Sequence, residues 1–87
     1  MNVLSHNLAK LIRRRRKELG MTQPQLSAKL GYTSKNGQTV SNVERGMCQL
    51  PIKYINQLSL VLMISREMII IEMIADYKQA LIVEIAK

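Results

Sequence analysis

Residues 21–46, MTQPQLSAKLGYTSKNGQTVSNVERG, constrain this chain more than any other stretch. Thr22 and Gln25 have the spacing of a capping box, which opens a helix by satisfying its first backbone N–H groups. Pro24 falls in the first turn, where a missing N–H costs nothing. Leu26 and Leu30 face a core, Ser27 and Ala28 keep the surface small, and Gly31 ends the helix. A polar turn, YTSKNG, occupies residues 32–37. A second short helix is expected over about 38–45, with Val40 and Val43 inward at i, i+3 and Gly46 as its stop. Asn36-Gly37 is also a hairpin signal, but strand alternation fails on both sides of it.

The flanking segments read as helices too. Leu4, Leu8, Leu11, Ile12 and Leu19 keep the spacing of one helical face, which predicts a helix over 5–19 with Ser5 as N-cap and Gly20 just past its end. Within it, Arg13, Arg14, Arg15, Arg16 and Lys17 point in all directions around the helix. Arg16 follows Ile12 by four, so it lies beside the apolar stripe, and a buried arginine needs a carboxylate. Pro51 opens a fourth helix over about 51–63, with Ile52, Ile55, Leu58 and Leu62 inward. Ser65 caps a fifth over about 66–86, roughly 30 Å long. Two apolar stripes run along this last helix, Ile71, Ile74, Leu81 and Ile85 beside Ile70, Met73, Tyr77 and Ala80. Glu72, Asp76 and Gln79 mark its wet face. Two stripes are more than an 87-residue monomer covers, and oligomerisation is a common remedy for a small core. The expected fold class is all-α.

Charge narrows the partners. The net of +7 is uneven. Residues 1–66 hold eleven Lys/Arg and two acids, a net of +9, whereas 67–87 hold two Lys and four acids, a net of −2. A basic body favours a polyanion, nucleic acid first and an anionic membrane second. The basic run and the apolar helix lie on different elements, which argues against one membrane-surface helix. The apolar region 58–75 is broken by Arg66, Glu67 and Glu72, whereas a membrane span needs about 20 largely uncharged residues. Charge arriving at Lys10 argues against a secretory signal. The single Cys48 permits neither an internal disulfide framework nor a Cys-based zinc site, and His6 stands alone. Glu72 and Asp76 are spaced like a carboxylate pair, but no nucleophile, base or phosphate loop accompanies them. Neither an enzyme nor a metal, cofactor or small-molecule site is expected, and a reduced cytoplasmic setting fits best.

Residues 8–64 resemble the helix-turn-helix domain of the Cro and lambda-type repressors, the Xre family. The resemblance rests on Ile12-Arg13, Arg16, Leu19-Gly20-Met21-Thr22-Gln23, Leu26, Leu30-Gly31 and Val40-Ser41-Asn42-Val43-Glu44-Arg45-Gly46, followed by Pro51. It implies a five-helix, lambda-repressor-like domain over residues 1–66, with 38–45 as the recognition helix in the major groove of double-stranded DNA. Residues 67–87 would continue it as an extended dimerisation helix. The buried arginine and glutamate of the family fall on Arg16 and Glu44, so an ion pair is expected between them. Base-reading positions of the family fall on Gly37, Gln38, Thr39 and Asn42, flanked by Ser41. Gln and Asn suit adenine, and a Thr methyl suits thymine. Phosphate contacts fall on Gln23 and Arg45, with Arg13 or Arg14 from the basic run, Lys35 and Asn36 from the turn, and Gln49 after Gly46. The turn at 32–37 departs from the family by about three extra residues, which leaves the register of 34–37 open.

The implied function is a homodimeric transcriptional regulator, a repressor, bacterial or phage in origin and nucleoid-associated. Ile70, Ile71, Ile74, Tyr77, Leu81 and Ile85 would form the dimer interface. The alternative is an antitoxin-like or other protein-binding module of the same fold, in which helix 66–86 holds a different chain.

Overall fold

The computed structural model describes residues 7–32, 37–48 and 50–86. Leu4, Ser5, His6, Lys35, Asn36 and Gln49, named above, and Ser34 of the 32–37 turn lie outside the described residues. Five α-helices follow one another without a strand among the described residues: α1 Asn7–Glu18, α2 Gln23–Lys29, α3 Gln38–Glu44, α4 Ile55–Leu62 and α5 Arg66–Ala86. A turn of 3₁₀-helix, Ile52–Tyr54, leads into α4. The fold class is all-α, as the periodicity predicts.

The core draws on every helix. Leu8, Leu11 and Ile12 of α1 meet Leu26 and Leu30 of α2, Val40 and Val43 of α3, Leu58 and Leu62 of α4, and Ile69 of α5. No aromatic ring sits in that centre. Tyr32 and Tyr54 stack at its edge instead, ring centroids 4.6 Å apart.

Three expectations about packing are corrected. Ser27 is not a surface residue but fully buried. It shares the inward face of α2 with Leu26 and Leu30. Ile52 does not face the core but is 78% exposed. Pro51 is extended, so the chain enters the 3₁₀ turn with Leu50 pointing in, and Leu50 takes the inward place. On α5 the fully buried residue is Ile69, which belongs to neither expected stripe. Met73 packs on the core one turn later, and Asp76 follows on the same side.

Asp76 overturns a fourth expectation. It does not lie on a wet face. Its carboxylate accepts the backbone N–H of Asn7 (3.0 Å) and of Leu8 (3.1 Å), at the start of α1. Helix N-termini leave N–H groups without an intrahelical acceptor and carry partial positive charge, so a carboxylate is the natural complement. One end of α1 is thereby tied to the middle of α5.

Candidate nucleic-acid interface

The α2–turn–α3 unit is held at three points, each traceable to a residue type. At the start of α2, Gln25 N–H donates to Thr22 Oγ1 (3.2 Å) and Thr22 N–H donates to Gln25 Oε1 (2.8 Å), completing the capping box. At the start of α3 stands Gly37, with φ +71°. It is not a base-facing residue as the resemblance suggests but is buried. A Cβ there would meet Pro24 N at 2.6 Å and the Gln23 carbonyl carbon at 2.7 Å. The left-handed backbone and the close approach of α2 both demand glycine.

The third point is the end of α3. Arg16 Nε donates to Glu44 Oε2 at 2.7 Å and Arg16 Nη2 to Glu44 Oε1 at 3.0 Å. Arg16 Nη1 donates to the Met21 carbonyl at 2.8 Å. Only 9% of the arginine side chain and 2% of the glutamate side chain is exposed. Two parallel bonds between planar groups fix direction as well as distance. Gln23 adds a bond from Nε2 to Glu44 Oε1 at 3.2 Å. The amide expected to reach a phosphate is thus engaged with Glu44, with its second N–H left to donate.

These ties leave one face of α3 outward. Gln38, Asn42 and Arg45 sit at intervals of four and three, one above the other on the helix. They are joined to each other. Gln38 Nε2 donates to Asn42 Oδ1 at 2.9 Å, and Arg45 Nη2 donates to the same oxygen at 3.0 Å. Val40 and Val43, on the opposite face, are buried. Thr39 and Ser41 are half-buried to either side. Arg45, assigned above to the backbone, therefore shares the face of Gln38 and Asn42.

The basic run of α1 divides by direction. Arg16 is buried in the junction just described. Arg15 Nε donates to the Leu62 carbonyl at 3.0 Å, closing the C-terminal end of α4, and its Nη1 pairs with Glu18 at 3.1 Å. Arg13 and Arg14 are exposed. Arg13, three before Arg16, neighbours it on the helix surface, whereas Arg14, two before, does not.

The candidate dimer residues Ile70, Ile71, Ile74, Tyr77, Leu81 and Ile85 are all exposed, Ile85 to 81%. Part of this face borders an open groove of about 730 Å³, lined by Leu50, Ile52, Ile55, Ile70, Ile74 and Tyr77 among others. No helix is long and apolar enough to cross a membrane, and no cluster of metal-ligating side chains occurs among the described residues.

Sequence reasoning missed Arg15, Gly37 and Asp76 as structural anchors. Gly37 carried a faint signal, since glycine is modestly favoured at helix starts. Asp76 carried none, because its partners are backbone N–H groups 68 and 69 residues away.

No family model matches the chain, and no curated protein matches it. Among solved structures it is similar to SinR, described as the master regulator for biofilm formation, in a crystal structure in complex with DNA. The identity is 26% and the TM-score 0.61, over 72% of this chain and 97% of that one. The match takes in nearly the whole of that chain, and the order and packing of these helices give this chain the Cro/lambda-repressor-like helix-turn-helix fold.

Proposed function

We propose that the protein is a sequence-specific DNA-binding regulator of transcription, a repressor, that acts as a homodimer with α3 in the major groove. One observation carries this reading. The polar face Gln38–Asn42–Arg45 points outward from a helix locked at both ends, on a body of net charge +9. Base edges are read by such side chains, and the surrounding Lys/Arg supply the sequence-independent attraction to phosphates. The SinR structure, a complex with DNA, supports the same reading.

Within it, Gln38, Asn42, Thr39 and Ser41 meet base edges. Arg13, Arg14, Gln23, Lys35, Asn36 and Gln49 serve the backbone. Residues 1–66 form the DNA-binding unit, and 67–87 supply the dimer interface. The second copy covers the exposed side of α5 and the groove beside it. Charge favours that occupant: two copies repel through their +9 bodies, and the net −2 of residues 67–87 is where they meet at least cost. A two-fold dimer would read half-sites about 34–36 Å apart.

Selection of bound sequences from random DNA by the full chain tests both parts. The expected result is a site with two-fold character whose affinity falls steeply with salt. Gln38→Ala should cost about 1–3 kcal/mol of discrimination at one base position in each half-site. An unchanged preference would refute the placement of α3. Sedimentation at tens of micromolar should show a dimer that Ile74→Glu converts to a folded monomer. A wild-type monomer would point instead to a different chain on α5, the protein-binding alternative.

A further inference from the structure

The exposed face of α3 has a direction to its hydrogen bonding. Asn42 stands in the middle, and its Oδ1 receives one N–H from Gln38 and one from Arg45, at 2.9 and 3.0 Å. An amide oxygen has two lone pairs, so this oxygen's accepting capacity is taken. The amide nitrogen bears two N–H groups, and these are what Asn42 has to offer a ligand. An asparagine that grips adenine must donate to N7 and accept from N6 at once, and the accepting half is already used. Guanine presents two adjacent acceptors in the major groove, N7 and O6, and no donor. The Arg45 guanidinium beside the amide adds positive charge where those acceptors would lie.

We infer that Asn42 reads guanine, as a donor only, with Gln38 and Arg45 as the positioning residues that hold it so. This rests on the DNA-binding reading and sharpens it, since asparagine by itself suggests adenine. It also gives Arg45 a task on the base-reading face rather than on the phosphate backbone.

The test is again selection from random DNA with the full chain, run in parallel for the wild type and for Asn42→Ala. The position whose preference disappears in N42A is the one Asn42 reads. Guanine is expected there in the wild-type site. Replacing that guanine by 7-deazaguanine, which lacks the N7 acceptor, should lower affinity about tenfold. Arg45→Ala frees Oδ1 and should admit adenine at that position, and Arg45→Lys, which keeps a donor, should restore guanine. A merely structural role for Arg45 would weaken binding without moving the base preference. Adenine or thymine at the Asn42 position, or a preference that Arg45→Ala leaves unmoved, would overturn the inference while leaving DNA binding intact. A chain that selects no sequence would overturn the DNA reading itself, and this inference with it.

Discussion

Two carboxylates hold α1, one at each end, and they do it by different chemistry. Near its C-terminal end, Glu44 of α3 takes two bonds from Arg16 in a dry junction. At its N-terminal end, half-buried Asp76 of α5 takes the N–H groups of Asn7 and Leu8. Glu44 answers a side-chain charge, so losing it strands a buried guanidinium. Asp76 answers the partial charge and open donors of a helix end, which water can also satisfy. The first tie orients the polar face of α3. The second fixes where α5 leaves the body, and so where its apolar face is presented.

The two ties should therefore differ in cost when cut. Glu44→Ala should destabilise the fold by about 3–5 kcal/mol, read as a shift of the urea midpoint. A loss below about 1 kcal/mol would mean the junction is wetter than its geometry indicates. At the other end of α3, Gly37→Ala should cost at least about 1–2 kcal/mol for the left-handed backbone alone, with the approach of α2 adding to it. Its effect on DNA binding should exceed what the stability loss explains, because α3 must shift. Asp76→Ala should cost about 0.5–2 kcal/mol, the range for removing a helix cap. Asp76→Asn keeps an acceptor and should recover part of that. If Asp76→Ala matched Glu44→Ala in cost, the distinction between the two ties would fail.

The smallest effect concerns the edge of the core. Burial, with Tyr54 and Cys48 alongside, pushes the Tyr32 hydroxyl above the usual tyrosine value of 10.0. The folded state then holds a proton that the unfolded chain releases first. That stabilising contribution is complete below pH 10.0 and is lost as pH rises through the folded value. Tyr32→Phe should flatten this alkaline fall in stability, measured as midpoint against pH.

How much of this was legible in advance follows from what each contact needs. Thr22 and Gln25 bond within one turn, so their spacing is the signal. Val40 and Val43 turn inward because a helical period leaves them no other face. Arg16–Glu44 was reachable in two steps. Helical spacing showed an arginine beside an apolar stripe in need of a carboxylate, and resemblance to a family supplied which one. The outward direction of Gln38 and Asn42 followed from the same period, but the bond between them and the part of Arg45 in it did not.

The sequence by itself determined the helices, their order, the uneven charge and the excess of apolar side chains on the last helix. Local hydrogen bonding and periodicity set these, and both act within a few residues. Only the tertiary structure decided which side of α5 is buried, that Ile69, from outside the expected stripes, enters the core with Met73 beside it, and that Asp76 caps α1. A helix with apolar residues nearly all round has no pattern that selects one face. That selection is made by the shape left open between α1 and α4, which exists only once the other helices have packed. For residues 21–46 the same division holds: short-range rules fix the two helices, and the distance between them rests on a missing Cβ at Gly37.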